Sequence, residues 1–493
     1  MTIFRSAARN VSIVIGSHAL MWVATLVFTV AQAHLLGPAL FGELSLAISL
    51  SLFLTVVIDF GLGIQLSRMV AQRTADVDAL VATIVLRVAL WLIAVPVLML
   101  ATLALGYETE LETAILILAV SVLLVGINAS IEAFLRGHER FLVPSIGSVV
   151  YRFSAAAVGI GFLLAGQGIV VVACAFLAGA AANLAVLLFG VGGDVWRRAT
   201  VDLRLATRLF RAAVPLGLWW MIAAFCFSTD IVIMQLRAPA ENVGWYAAAY
   251  RLFNVATIFP QITVGFVLAP VFSRLSLGPR EDLRRVLERS LAVLIICGIG
   301  VALVLAVFAE GIIAAVYPAD AYGPAANALR LLAPRIAFLY VNSAILYALI
   351  GLHQERRLLR MAISFAILTP LANLAVIPLL QQDGAAIVSS ATELCWLVWL
   401  ARALPADLLT RGSAVLAAKA CGAAAAAVVV GLATAGHGLV IAMPLTLAAY
   451  GASLIAVGAI GRSELAALRG LARREPVTGH AAPMPMPAIE GPA

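Results

Sequence analysis

A chain of 493 residues with 63% hydrophobic and only 12% charged side chains is not a water-soluble composition, because soluble domains run at about 45–50% apolar and about 25% charged. A mean hydropathy of +1.07 excludes a cytosolic enzyme, a secreted disulfide scaffold and a disordered chain. The net charge of +7 is scattered in short clusters between apolar runs rather than gathered on one basic face, which argues against nucleic acid as a partner.

The fold class predicted is an all-α polytopic membrane protein. A helix needs about 20 apolar residues to cross a bilayer, and runs of that kind between polar breaks predict about 14 transmembrane helices. In chain order they lie at roughly 11–34, 41–65, 79–105, 113–136, 143–165, 168–190, 213–236, 243–273, 288–310, 324–350, 360–380, 384–404, 413–434 and 438–460. The runs are continuously apolar and do not alternate, so a β-barrel is excluded.

All but one of the 32 basic residues are arginine, Lys419 being the exception. With the N-terminus placed in the cytoplasm, alternate connections carry 26 of the basic residues and the opposite connections only Arg237. The positive-inside rule then sets both termini in the cytoplasm. The arginine-poor connections are all short, which leaves no room there for a catalytic domain.

The two halves of the chain echo one another. Phe41-Gly42-Glu43 opens the second span as Val243-Gly244-Trp245 opens the eighth, and Ser67-Arg68 matches Ser273-Arg274. Both halves start on the same side, so a parallel repeat with its axis along the membrane normal is expected. The predicted organisation is a six-helix lobe over 1–191, an Arg-rich cytoplasmic linker over 192–212, a second six-helix lobe over 213–404, two further transmembrane helices over 405–461 and a disordered cytoplasmic tail over 462–493. The apolar residues Val201, Leu203, Leu205 and Leu209 predict a linker helix lying on anionic inner-leaflet lipid.

No nucleotide-binding loop, metal-ligand cluster or nucleophile motif is present, so no catalytic residue, metal or cofactor is expected. Cys174, Cys226, Cys297, Cys395 and Cys421 sit singly inside apolar runs and read as inert thiols. What remains are charges inside the spans, each costing about 2.5–3.5 kcal/mol at a helix centre on insertion scales. By depth, Asp59 falls with Arg87 and Glu132 with Arg152, as supporting ion pairs near the inner leaflet. In the second lobe Asp230 and Arg251 flank one short outer loop, while Arg335 and Glu393 lie at comparable depth. The excess of arginine suits a phosphate-bearing ligand, because the guanidinium fork binds phosphate in two places at once. Arg251 and Arg335 are therefore candidate substrate contacts, with Asp230 and Glu393 supporting them; a purely helix-locking role is the alternative. Arg330 joins them as a substrate-binding candidate, with helix locking the stronger of its two readings.

These residues carry a family resemblance. Phe41-Gly42-Glu43 through Asp59-Phe60-Gly61-Leu62, then Asp230, Val243-Gly244-Trp245-Tyr246 through Tyr250-Arg251-Leu252, Ala269-Pro270 with Ser273-Arg274, and Asn373, Ile377-Pro378, Gly384-Ala385-Ala386 and Glu393 resemble the ordered motifs of polysaccharide and O-antigen lipid-linked oligosaccharide flippases. That family belongs to the multidrug/oligosaccharidyl-lipid/polysaccharide exporter superfamily. The resemblance implies two six-helix bundles around a central cavity. It also implies alternating access that moves a polyprenyl-diphosphate-linked glycan between leaflets of the bacterial inner membrane, alongside membrane lipids and polysaccharide assembly machinery. No cation-site cluster stands out in the first lobe, so the coupling ion stays open. A multidrug/cation antiporter should carry deep acids in place of arginines. A lipid II flippase shares the topology, but no arginine lies between Arg9 and Arg68. A membrane-embedded glycan polymerase or glycosyltransferase would need a large outer loop.

Overall fold

The computed structural model describes residues 2–71, 77–138, 140–192, 200, 202–276, 278–352, 354–408 and 411–459. Every regular element among them is helical. Apolar chain in hydrocarbon has no water to satisfy its amides, and a helix satisfies them internally. Among the described residues, ten helices are long and apolar enough to cross a membrane, and large aliphatic side chains such as Ile93, Leu100 and Val440 point outward, where lipid would be the solvent.

The first lobe begins with α1, Thr2–Asp59. Its 58 residues would reach about 87 Å as one rod, far more than a bilayer. It is broken at Gly37 (φ 73°, ψ 173°), with Pro38 next; the left-handed φ suits only glycine without strain. A second break at Phe60 and Gly61 separates α1 from α2, Leu62–Ala71. Then come α3, Val77–Leu105, α4, Thr109–Gly137, α5, Leu142–Leu164, and α6, Ile169–Val191.

The second lobe opens with α7, Leu203–Arg237. Asp202 caps it, its carboxylate accepting from the amides of Arg204 at 2.8 Å and Leu205 at 3.2 Å. This differs from the linker helix expected from sequence. From Leu203 onward the linker is continuous with the long helix α7, and it buries Ala206 and Leu209 against Leu66, Val70 and Leu80. The linker arginines Arg197 and Arg198, Val201 and the tail after 459 fall outside the described residues.

Next is α8, Ala240–Ala256. Beyond it the backbone passes through Ile258–Pro260 and a π-helical stretch, Gln261–Leu268, into α9, Ala269–Leu275. Pro260 and Pro270 flank the π stretch, and each removes a donor from the helical ladder. The lobe continues with α10, Arg280–Val307, the short α11, Ala309–Val316, and α12, Ala319–Tyr322, then α13, Ala325–Gly351.

The 49-residue α14, Glu355–Ala403, is broken at Gln381 (φ 50°, ψ −126°). A non-glycine residue there costs about 1–3 kcal/mol. Asn242 of α8 offsets this by donating to the side-chain oxygens of both Gln381 and Gln382, the latter at 2.6 Å. The pair α15, Arg411–Thr434, and α16, Leu439–Ala456, packs on α10. The breaks at Gly37 and Gln381 and the turn at Ala238 mark the arginine-poor end of the bundle.

Candidate functional site

A cavity of about 420 Å³ lies between α1 and helices of the second half of the chain. The second arm of α1 supplies Ser45, Ser49 and Leu52, and the second lobe supplies Tyr250, Arg251, Asn254, Thr257, Gln261 and Arg335. Of the charges singled out in the sequence, Arg251 and Arg335 therefore share one chamber. The polar wall is tied to backbone: Ser45 Oγ donates to the Phe41 carbonyl at 2.7 Å, Ser49 Oγ to that of Ser45 at 2.8 Å, and Gln261 Nε2 to Thr257 Oγ1 at 3.1 Å. Hydroxyls that donate to their own helix keep free lone pairs to accept from a ligand.

Arg335 is 7% exposed and rests against the rings of Tyr250 and Phe253, its Cζ 5.4 and 5.0 Å from their centroids. Its Nε stands 3.6 Å from Glu393 Oε2, beyond hydrogen-bond reach, and neither Nε nor Nη1 has a hydrogen-bond partner. Glu393 is held in turn by Asn342 Nδ2, 2.8 Å from Oε1. Buried polar groups are almost always paired, so a cavity-lining arginine with two buried, unpartnered donors is electrostatically unfinished.

Arg251 is partly exposed, into the same chamber. Its Cζ sits 4.4 Å above the Phe41 ring and its Nη1 donates to Gln32 Oε1 at 3.3 Å; both partners belong to the first lobe. Among the described residues no carboxylate is within ion-pair distance of it. Asp230, expected from sequence as its support, instead accepts from the Tyr246 hydroxyl at 2.5 Å and the Ile231 amide at 2.8 Å. Helix geometry explains the difference. Tyr246 and Tyr250 are one turn apart on the face of α8 turned toward α7, and Arg251 is rotated about 100° from Tyr250 onto the face that meets α1.

Arg330 lies away from the chamber. It is 39% exposed and pairs with Glu310 at 2.7 Å and the Ala306 carbonyl at 3.3 Å, contacts that tie helices together. In the first lobe Arg87 is fully buried against Asp59 and the Gly126 carbonyl. Glu132 is paired not with Arg152 but with Arg136, one turn along its own helix, at 2.5 Å, and takes a further contact from Asn183 Nδ2 at 3.4 Å. Arg152 lies over the Tyr151 ring at 5.0 Å. Arg87→Ala should lower the stability of the folded protein by about 3 kcal/mol, the low end for a broken buried pair because Asp59 is 40% exposed and keeps some water. Thermal unfolding in detergent reads this, with the cavity arginines untouched.

At the arginine-poor end the lobes touch through backbone. A side chain on Gly42 would collide with the Ala240 carbonyl and come within 2.8 Å of the Gly244 nitrogen, and one on Gly244 would collide with the Pro38 carbonyl. The contact is reciprocal between residues that the internal echo had matched. Around it, Tyr322 donates to the Ala33 carbonyl at 3.2 Å and His34 Nε2 meets the Val316 carbonyl at 3.0 Å. Burial pushes the Tyr317 hydroxyl up to about 12, so it stays a neutral donor to the Ala248 carbonyl, 3.4 Å away. Sequence reasoning missed Gln32, Phe41, Tyr250 and Phe253, because an aromatic or amide in an apolar span has no signature of its own. The one available signal was the adjacency of Tyr250 and Phe253 to Arg251; Gln32 and Phe41 lie in a stretch without arginine and had none.

Two kinds of comparison place this architecture. The chain is similar over 93% of its length to all of a structure titled "Lipid II flippase MurJ, inward closed conformation", at 13% identity and a TM-score of 0.75. It is also similar, over 78% of its length and 94% of the other chain, to an inward-facing multidrug resistance MATE family transporter of the MOP superfamily, at 14% identity and a TM-score of 0.65. A MOP superfamily transporter from Pyrococcus furiosus aligns over 81% of this chain and 94% of that one at 15% identity, with a TM-score of 0.51. The fold is thus that of the MOP superfamily transporters. No curated protein sequence matches the chain. A family model described as "Polysaccharide biosynthesis protein" matches residues 7–276, more than half of the chain, which belongs to that family.

Proposed function

We propose that the protein is a flippase that moves a polyprenyl-diphosphate-linked oligosaccharide from the inner to the outer leaflet of the bacterial cytoplasmic membrane by alternating access, for cell-surface polysaccharide assembly. The observation that carries this reading is the pair of arginines, Arg251 and Arg335, lining one cavity; two buried donors of Arg335, Nε and Nη1, also lack a hydrogen-bond partner. A diphosphate cannot enter hydrocarbon bare, because an isolated buried charge costs many kcal/mol. Guanidinium forks replace its hydration. The hydroxyls and amides of Ser45, Ser49, Asn254 and Gln261 offer hydrogen bonds to sugar, and a volume of about 420 Å³ is within the ordinary range of ligand sites. The polyprenyl tail stays in lipid. Family membership supports the glycan side of the reading. The cation-antiporter alternative is less well served, since among the described residues both charged side chains lining the cavity are cations.

Because Arg251 has no carboxylate partner among the described residues, Arg251→Ala strands no acid. Surface glycan should fall by about tenfold to hundredfold, the worth of one or two charge-assisted bonds, with normal protein abundance. Arg251→Lys should recover only part, since a point charge lacks the fork. Unchanged glycan display in Arg251→Ala would overturn the assignment.

The topology proposed with this reading is fourteen crossings with both termini cytoplasmic. Reporter fusions after Leu35, Leu111, Gly168, Pro239, Ala321, Asp383 and His437 should all register outside, and a cytoplasmic signal at two of these positions would refute the topology.

A further inference from the structure

The cavity and the lobe–lobe contact at the proposed outer end share one charged side chain. Arg251 belongs to the second lobe and lines the chamber, yet the groups that hold it, the Phe41 ring and the Gln32 amide, come from the first lobe. Phe41 is fully buried and is packed edge-on against Tyr322, with ring centroids 5.9 Å apart. Tyr322 itself reaches across to the Ala33 carbonyl. Gly42, the next residue after Phe41, makes the reciprocal backbone contact with the start of α8. The guanidinium thus sits at the inner edge of the closure, touching the cavity on one side and the ring beside the glycine contact on the other.

From this geometry we infer that Arg251 is a latch: it closes the outer side by resting on Phe41 and Gln32, and an anionic phosphate group entering the chamber competes for the same guanidinium and so loosens the closure. The inference rests on the anionic-substrate reading above. The other closure contacts named above, at Gly42, Gly244, His34 and Tyr322, are made by residues that do not line the cavity, so a ligand there has no direct purchase on them. The grip of Phe41 and Gln32 is of the kind an anion can beat. A cation over a ring and a single bond to a neutral amide at 3.3 Å are set against bidentate, charge-assisted bonds to phosphate, roughly twice as strong apiece as neutral ones. A ligand shifts a conformational equilibrium only by binding one state better than the other, and here the difference is whether the arginine is already engaged. The ligand class this selects is a polyprenyl-linked or free phosphate or diphosphate, not a neutral glycan.

The test uses full-length protein in detergent with the five cysteines replaced by serine and one reporter, Val243→Cys, at a fully buried position beside Gly244. Labelling of that cysteine by a polar maleimide reports opening of the closure, and calorimetry measures inorganic pyrophosphate binding to the same preparation. Pyrophosphate should accelerate labelling roughly fivefold or more. Phe41→Leu should label fast without pyrophosphate and gain little from it. A trifluorinated phenylalanine at position 41 keeps the shape of the ring but not its negative face, so it separates the latch from simple packing and guards against a misfolded leucine variant. It should behave like Phe41→Leu. Labelling that pyrophosphate leaves unchanged although it binds would overturn the latch and spare the anion reading. Wild-type labelling in the fluorinated variant would also overturn the latch, by showing that the ring acts through its volume. Failure of pyrophosphate to bind would remove the anion reading and the latch with it.

Discussion

Gly244→Ala is expected to abolish surface glycan display while leaving the protein in the membrane at near-normal abundance. The added methyl group would meet the Pro38 carbonyl, which is backbone and cannot rotate away, and Gly42→Ala would do the same against the Ala240 carbonyl. Small residues are what allow two helices in lipid to approach this closely. Overpacking of this kind costs about 1–3 kcal/mol, roughly tenfold to hundredfold against the closed arrangement. Insertion should be unaffected, since alanine favours helix over glycine by about 1 kcal/mol. Both single variants should therefore lose display, and the double variant should lose no more than either, because one clash already holds the contact open. Gly161→Ala is the control: nothing lies within 4 Å of the added methyl position, and display should stay at the wild-type level. Normal display in both Gly42→Ala and Gly244→Ala would mean that this contact does not have to close during transport.

The fate of individual residues shows what an apolar sequence reveals and what it hides. Charges in a membrane span are visible because each is expensive, which is why Arg251 and Arg335 could be singled out and why both line the cavity. Depth could be read from position along the chain, so Arg335 and Glu393 fell together and are neighbours. Direction around the helix could not. Asp230 and Arg251 share a depth but face different helices, so Asp230 is spent on Tyr246. Glu132 found Arg136 on its own helix, a nearer partner than Arg152 across the lobe. Connections were legible where a polar break interrupts the run. The break expected at Gln381–Gly384 is there, compressed to a kink at Gln381. The linker misled for the opposite reason: its apolar residues continue the period of the next helix, so α7 simply starts earlier. The echo between Gly42 and Gly244 was readable as a repeat, but its use as a backbone contact needed the third dimension.

Arg335→Ala should have the largest effect on the cavity, and in two separable ways. It removes a cavity-lining guanidinium, and it strands Glu393, whose side chain is only 13% exposed. Stranding one member of a buried pair typically costs about 3–5 kcal/mol, so both abundance and glycan display should fall. Adding Glu393→Gln removes the stranded charge while keeping an acceptor for Asn342, which donates to that side chain at 2.8 Å. Abundance should then return. Display should not, because the phosphate contact is still missing. Arg335→Lys is predicted to fold normally and to export weakly, since an ammonium preserves the charge near Glu393 but not the planar fork or its stacking on Tyr250 and Phe253. Glu393→Gln alone leaves Arg335 free of its counter-ion; if the carboxylate serves only as a stand-in for substrate, display should persist and pyrophosphate should bind more tightly. Membrane abundance by immunoblot and glycan display by surface labelling, measured for the three single variants and the double variant, separate the roles. Restoration of both quantities in the Arg335→Ala/Glu393→Gln protein would show that Arg335 ties α13 to α14 and that the phosphates are held elsewhere.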